Sequence, residues 1–265
     1  MARKLTGAGK LRLAYQSFGQ AGGMEPYQSA LVTLVRETAS PDADIEVLTL
    51  QSAIVEGKGF ASAQALEVPA LLGSIEAAVA NGAEAVAIGN GFDPGLWEAR
   101  ELFEVPILGL FETSALFALR LGWKIGVLCS GAPGISRVEE MIARYGLATR
   151  YMRPRAVGIG VPAVVAAFSD PAKGADLIAT AEVAIDELAS AGAEVVIVAS
   201  GALDVFLQTT GYRSRGGIPV LPAVKILVCE LELAARIARM GVPGASRAGR
   251  FAQPPPSIMQ GLRVR

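Results

Sequence analysis

The sequence contains no histidine, and this absence excludes several common kinds of active site. Without histidine there can be no Ser-His-Asp or Cys-His catalytic pair, no histidine general base and no histidine ligand for zinc. Proton transfer must therefore depend on Asp, Glu, Lys, Tyr, Cys, Ser or water. The chain also has no Walker A sequence and no metal-ligand spacing, so we expect neither a cofactor nor a metal.

Cysteine and charge are scarce as well. The two cysteines, Cys129 and Cys229, are too few for a disulfide framework. Charged residues make up 18% of the chain and the formal net charge is −1, so nothing draws the whole surface to nucleic acid or anionic lipid. Gly, Pro or a charge interrupts every apolar run before about 18 residues, and the N-terminal residues lack the apolar stretch of a signal peptide. We expect a cytoplasmic homo-oligomer that acts on a small molecule, without nucleic acid or membrane partners.

Hydrophobic residues are abundant, at 52% of the chain, and they are arranged in alternating strand and helix patterns. Strands are predicted at 11–17, 44–50, 84–89, 105–110, 124–129, 155–160, 194–199 and 218–221. Helices are predicted near 26–38, 64–81, 95–103, 112–121, 136–146, 173–191, 202–209 and 223–240. Regular alternation of this kind is typical of βαβ units with a parallel sheet, and it fits either open sheets or one closed barrel.

An internal repeat favours two open sheets. NGAEAVAIGN (81–90) matches AGAEVVIVAS (191–200), and VPILG (105–109) matches IPVLP (218–222). The strand KIGVLCS (124–130) likewise matches LRLAYQS at the start of the chain. A period of this length indicates a duplicated domain.

We therefore predict an α/β fold of two pseudo-symmetric, flavodoxin-like halves, each with a parallel sheet of about four strands and with the active-site cleft between them. The first half is predicted to contain 1–115 and 223–265, and the second 116–222. The tail, 243–265, is predicted to lack regular structure and to lie on the surface or on a neighbouring molecule.

The repeat also places two polar residues at equivalent positions. Asn90 and Ser200 each follow a buried strand and precede a predicted helix. Ligands of open α/β sheets bind outside the carboxyl ends of the strands. Since a two-fold axis would bring these ends together, we expect Asn90 and Ser200 to face each other across the cleft, although small polar residues also commonly end strands and cap helices.

The segments around these two residues resemble the aspartate/glutamate/hydantoin racemase superfamily, nearest its hydantoin racemase branch. The resemblance lies in AVAIGNGFDPGLWEARELFEVPILGLFETSALFALRLGWKIGVLCS (85–130) and in AEVVIVASGALDVF (193–206). It covers most of the chain, is weaker in 18–80 and 131–190, and is absent from the tail. It implies the same fold and a site that takes a small carboxylate, imide or cyclic ureide.

The resemblance further implies that the family's two catalytic cysteines correspond to Asn90 and Ser200. In the family, one thiolate removes a proton from carbon and the facing thiol returns a proton on the opposite side. An asparagine side chain has no useful pKa, and an unassisted serine hydroxyl is a very weak base near pH 7. We therefore expect the scaffold to be retained without the two-cysteine chemistry.

Two carboxylates are candidates for the missing base. Asp93 and Glu112 could hold and deprotonate a water, because mutual repulsion raises the pKa of one member of such a pair. Asn90 and Ser200 would hold the reacting carbonyl carbon between them, and the helix N-termini after Gly91 and Gly201 would bind an oxyanion. Both carboxylates also suit a structural role, Asp93 as a helix N-cap and Glu112 as a charge in a first helical turn.

Other residues at strand ends and helix starts are predicted to bind the substrate. Arg213 and Arg215 could clamp a carboxylate, although a Gly/Ser/Arg loop is more often plain surface. Cys229 is predicted to lie in the core. The predicted substrate-binding residues are Gln16, Ser17, Gly91, Cys129, Ser130, Gly201 and Lys225.

These observations predict a metal-independent enzyme that hydrolyses a cyclic ureide, an imide or a small carboxylate with a carboxylate base. One alternative is a racemase, isomerase or decarboxylase that uses Cys129 or a carboxylate. The other is a protein that binds a small ligand in the cleft without catalysis.

Overall fold

The computed structural model describes residues 9–18, 24–50 and 60–258. The first half of the chain forms a four-stranded parallel sheet in the order β2-β1-β3-β4. Its strands are β1 (Leu11–Ser17), β2 (Ala43–Thr49), β3 (Ala85–Ile88) and β4 (Ile107–Gly109). Its helices are α1 (Glu25–Thr38), α2 (Ala61–Ala80) and α3 (Leu96–Leu102), followed by the connecting helix α4 (Leu110–Ala118).

The second half repeats this topology. Its parallel sheet has the order β6-β5-β7, and an isolated parallel bridge from Val196 to Val220 occupies the position that corresponds to β4. Its strands are β5 (Ile125–Cys129), β6 (Arg155–Ala156) and β7 (Val195–Val198), with an antiparallel hairpin of β8 (Ser214–Arg215) and β9 (Ile218–Pro219). Its helices are α5 (Pro133–Arg144), α6 (Val161–Ala167), α7 (Pro171–Ser190), α8 (Gly201–Thr209) and α9 (Ala223–Arg239).

The predicted α/β class with two flavodoxin-like halves is confirmed. Two local differences have physical explanations. The segment predicted as a strand at 155–160 is regular over only two residues, since Gly158 has a φ of +79° and leaves the strand conformation, although the Ile159 amide still donates a hydrogen bond to the Ser130 carbonyl. The helix α6 then begins after Gly160 with Pro162 in its first turn, a position that favours proline.

The repeat is visible in the turns that lead into the site strands. Gly82 and Gly192 have φ values of +97° and +99°, which side chains rarely adopt. Each glycine ends a long helix, and the next amide bonds back to the helix, from Ala83 to Ala78 and from Ala193 to Leu188. The NGAE and AGAE sequences are therefore equivalent helix-ending turns that position β3 and β7.

Two helices cross between the halves. The side chains of Phe111 and Ala115 on α4 belong to the same buried cluster as Ile125 and Val195 of the second sheet. In the opposite direction, α9 packs on β1, β3 and α1 of the first half. The predicted division at 115/116 falls inside α4, so the boundary interrupts a continuous helix and remains a prediction.

Two further segments complete the surface of the first half. By length and composition alone, α2 could cross a membrane, but Leu71 and Ile75 are fully buried and the helix packs on β1 and β3. The described part of the tail, 243–258, lies against α3, where Arg247 donates hydrogen bonds to the backbone carbonyls of Arg100 and Phe103.

Candidate active site

A cavity of about 340 Å³ lies between the two halves, at the carboxyl ends of both sheets. Its wall contains the loops after β3 and β7, the start of α5 and the start of α8. Three of its side chains are polar amides or alcohols, and four are aromatic. The wall includes Phe18, Tyr27, Phe60, Asn90, Gly91, Phe92, Ser130, Gly134, Ser200 and Gly201.

The loops after β3 and β7 touch through their backbones. A Cβ atom added at Gly91 would lie 2.4 Å from the carbonyl carbon of Ala199, and one added at Gly201 would lie 3.3 Å from the carbonyl oxygen of Gly89. Only glycine permits the first approach without movement of one backbone. Each loop therefore sets the position of the other, and both Asn90 and Ser200 lie on the cavity wall.

Asn90 presents a hydrogen-bond donor to the cavity. Its side-chain oxygen accepts a hydrogen bond of 2.9 Å from the backbone amide of Phe92. Since the oxygen is engaged within its own loop, the NH₂ group is the part of the side chain available to a ligand.

Ser200 presents a second donor. Its oxygen accepts hydrogen bonds from the hydroxyl of Ser130, at 2.7 Å, and from the amide of Leu203, at 3.4 Å. These two contacts use the acceptor capacity of the hydroxyl and leave its proton for a ligand. Ser130 is the equivalent strand-end residue after β5, and it lines the same cavity.

The two predicted base carboxylates do not lie on the described cavity wall, which corrects the expectation of a carboxylate pair that faces the substrate. Asp93 is buried and accepts hydrogen bonds from the amides of Phe111 and Glu112 and from the Tyr145 hydroxyl. It caps the N-terminus of α4, and burial raises its pKa to about 7. Glu112 forms a two-pronged ion pair with Arg100.

The second half repeats this cap. Asp204 is fully buried and accepts hydrogen bonds from the amides of Ala223 and Val224, at the start of α9. Burial also raises the pKa of Asp204 to about 7, while the charge of Lys225 opposes that rise. Each half therefore attaches its site loop or helix to the helix that crosses into the other half. Lys225, predicted to bind substrate, is not on the cavity wall.

Neither thiol reaches the cavity. Cys129 is buried in the core of the second half, where burial raises its pKa to about 12. A buried thiol with a raised pKa is a poor nucleophile and a poor base. The prediction for Cys229 is wrong, because that residue is exposed on α9.

The remaining predicted binding residues also lie outside the described wall. The side chain of Gln16 bonds to the Ser17 carbonyl and to Ser74, and the Ser17 hydroxyl donates to Gln28. Arg215 pairs with Glu182 and Asp186 on α7, away from the cavity. Arg213 bonds to the carbonyl of Tyr212.

The sequence pattern does not predict the aromatic part of the wall. Phe18, Tyr27, Phe60 and Phe92 line the cavity, although aromatic residues make up only 6% of the chain. Phe92 lies two residues after Asn90, where the loop returns to the cleft, and this spacing was the available signal. The other three come from segments that only the tertiary fold brings to the site.

Within the described ranges, no Asp, Glu, Lys, Arg or Cys side chain lines the cavity, and Tyr27 is the one ionisable group there. Burial raises the pKa of Tyr27 to about 12, so the phenol is neutral near pH 7. The N-terminal ends of α5 and α8 lie on the cavity wall, and the dipole of each helix gives that side of the cavity a positive partial charge. The site is therefore suited to a ligand with an apolar body and hydrogen-bond acceptors.

Known proteins share both the sequence pattern and the fold. The family model for Asp/Glu/Hydantoin racemase matches residues 25–231. A hydantoin racemase of Rhizobium meliloti is 25% identical over 165 residues, which span 62% of this chain and 66% of that relative, slightly less than two thirds of its length.

Solved structures agree on the fold. Allantoin racemase from Klebsiella pneumoniae has a TM-score of 0.75 at 19% identity, over 92% of this chain and 94% of that one. The Gly74Cys-Cys188Ser mutant of arylmalonate decarboxylase has a TM-score of 0.58 at 16% identity, over 84% and 92% of the two chains. With the family model covering most of its length, this chain belongs to the Asp/Glu/hydantoin racemase family of enzymes.

Proposed function

We propose that this protein is a lyase that decarboxylates a small malonate-type acid with an apolar substituent. The observation that carries the proposal is the cavity wall itself, which offers two hydrogen-bond donors, Asn90 and Ser200, and no described side chain able to act as a base near pH 7. Decarboxylation begins from an ionised substrate and needs no base. The proposal is supported by the fold shared with arylmalonate decarboxylase.

The proposed step breaks the bond between the α-carbon and one carboxylate. Its electron pair passes to the α-carbon and into the remaining carboxylate, and carbon dioxide leaves. The Asn90 amide and the first amides of α8 stabilise the resulting enediolate, a form of transition-state stabilisation worth about 10²–10³ in rate per donor. The aromatic wall excludes water from the departing carboxylate.

Ser200 supplies the proton that completes the reaction. An alcohol is a very weak base, but it is a much stronger acid than the carbon acid that forms, so it can protonate an enediolate carbon. The proton moves from the Ser200 oxygen to the α-carbon, and Ser130, at 2.7 Å, returns a proton to Ser200 in exchange with solvent. The same weak basicity argues against racemisation, which requires a side chain to remove a proton from carbon.

Hydrolysis of a cyclic ureide or imide is the second candidate. It is favoured by the position of Ser200 at the N-terminus of α8, where backbone amides can bind an oxyanion. It requires an activated water or serine, and the carboxylates predicted to supply that base are engaged elsewhere. For this reason we place hydrolysis after decarboxylation.

One NMR experiment in D₂O separates these reactions. Phenylmalonate and 5-benzylhydantoin are each incubated with the protein. Decarboxylation yields phenylacetate with one deuterium at the α-carbon, hydrolysis opens the hydantoin ring, and racemisation exchanges the C5 proton without consuming the substrate. Binding without turnover would identify a ligand-binding protein and, like ring opening or C5 exchange alone, would contradict the proposal.

Two substitutions test the assigned roles. Ser200→Ala removes the proton donor, and we expect kcat for decarboxylation to fall by about 10²–10⁴. Asn90→Ala removes one enediolate donor, with an expected loss of about 10²–10³. Gly73→Ala, on α2 with no atom of the described residues within 4 Å of the added Cβ, is the control and should keep the wild-type rate.

A further inference from the structure

Arg137 is a partly buried cation without a described counter-ion. It lies on α5, and its guanidinium donates a hydrogen bond to the side-chain oxygen of Gln64 on α2. Among the described residues no carboxylate forms an ion pair with it, and the charges of Glu140 and Arg144 act on it only from farther away. Its Nη1 atom is enclosed and has no hydrogen-bond partner in the described part of the chain.

An enclosed guanidinium nitrogen without a hydrogen-bond partner among the described residues lowers the stability of the folded protein. Buried arginines are normally paired, and a buried donor without a partner lowers stability. In native structures, buried polar groups without hydrogen-bond partners are few, and they are expected mainly at functional sites.

The guanidinium lies directly behind the cavity wall. Its central carbon is 4.7 Å from the centre of the Phe92 ring, and Phe92 lines the cavity. One helical turn before Arg137, Gly134 lines the same cavity, and a Cβ added there would lie 3.2 Å from the tip of the Phe92 ring. A single aromatic ring therefore separates this cation from the ligand space.

We propose that Arg137 is a specificity-determining residue that makes the cavity select anionic ligands, acting through the Phe92 wall. The inference rests on the proposed function for the class of ligand, a carboxylate with an apolar body. It is independent of how that ligand reacts. The described wall has no carboxylate that would repel such an anion, and the N-termini of α5 and α8 add a field of the same sign as Arg137.

The expected size of the effect follows from the distance. An anion in contact with the Phe92 ring at about 3.5 Å would lie about 8 Å from the guanidinium. At that separation Coulomb's law gives about a 2-fold change in Kd with the dielectric constant of bulk water, and about a 30-fold change with that of a protein surface.

Phenylacetate and its neutral isostere phenylacetamide form the test, because neither can be decarboxylated further as a malonate can. Kd is measured by calorimetry for wild type, Arg137→Gln, Arg137→Lys and the control Arg144→Gln. Arg144 is on the same helix and stacks on Trp97 at 5.1 Å, outside the cavity wall. We expect Arg137→Gln to weaken phenylacetate binding within that range and to leave phenylacetamide unchanged, while Arg137→Lys and Arg144→Gln bind both ligands as wild type does.

Several outcomes overturn the inference. It is wrong if Arg137→Gln weakens the binding of both ligands equally, or if Arg144→Gln weakens phenylacetate binding as Arg137→Gln does. It is also wrong if the wild-type protein binds phenylacetamide as tightly as phenylacetate, or binds neither ligand. An Arg137-dependent preference for phenylacetate, in a protein that leaves phenylmalonate intact, would contradict the proposed lyase function alone. Decarboxylation of phenylmalonate with an unchanged KM in Arg137→Gln would contradict the role of Arg137 alone.

Discussion

The contact between the two site loops predicts a large effect from one added methyl group. In Gly91→Ala, the new Cβ would lie 2.4 Å from the Ala199 carbonyl carbon and 2.5 Å from its oxygen, whereas ordinary contact begins at 3.4 Å. The neighbouring atoms belong to backbone and cannot rotate away, so the loops must separate by about 1 Å. Overpacking of this kind lowers the free energy of unfolding by about 1–3 kcal/mol. A displacement of about 1 Å at a reacting centre reduces the rate on the order of 10²-fold.

Urea unfolding and turnover, measured on the same preparation, check both numbers. Gly73→Ala is the matched control, because it adds the same methyl group inside α2 with no atom of residues 9–18, 24–50 and 60–258 within 4 Å. It should stabilise the protein by about 0.5–1 kcal/mol. If Gly91→Ala unfolded within about 0.5 kcal/mol of wild type and kept its activity, the tight loop contact would be refuted.

Three further predictions concern the caps and the two central positions. In Asp93→Asn, one of the two backbone N–H groups that Asp93 accepts from would face an NH₂ group instead of an oxygen. The free energy of unfolding, measured by urea titration, should therefore fall by about 1–3 kcal/mol. An unchanged urea midpoint would contradict the role of Asp93 as the cap of α4. Burial raises the folded-state pKa of Asp93 and Asp204 from 3.8 to about 7. Between about pH 4 and pH 7 the folded protein therefore binds more protons than the unfolded chain, and its free energy of unfolding should decrease as the pH rises through that range. Asp204→Asn should make this decrease with pH smaller, as measured by the urea midpoint at each pH. Finally, the double variant Asn90→Cys with Ser200→Cys places two thiols on the wall and should gain C5 proton exchange of hydantoins, detectable by NMR in D₂O, whereas each single variant should not.

The alternation of elements and the internal repeat could be predicted because both depend on local pattern. Burial on both faces of a parallel strand produces the continuous apolar runs at β3 and β7, and the glycines after α2 and α7 mark the turns before them. The same repeat places Asn90 and Ser200 at equivalent strand ends. Their position on the cavity wall follows from topology, which is why sequence alone sufficed there.

The roles of the charged residues could not be predicted in the same way. Glu112 pairs with Arg100 and Arg137 stacks on Phe92, and both contacts depend on helix packing that leaves no periodic signal in the chain. Asp93 and Asp204 are different, since each follows its site residue by three or four positions in the repeat. That spacing is a signal for two equivalent helix-capping carboxylates. The proximity of Asp93 to the predicted site favoured the interpretation as a base instead.

The exchange of α4 and α9 between the halves bears on how the chain is made. The first sheet is complete once Gly109 has been synthesised, yet Leu11 and Leu13 share their buried cluster with Leu227 and Leu231 of α9. At about 5–20 residues per second, the ribosome needs between about 7 and 26 seconds to progress from the end of β4 to the end of α9. During that interval the nascent first half has an uncovered apolar face, and we expect the two halves to acquire their native packing together, after the last helix has emerged.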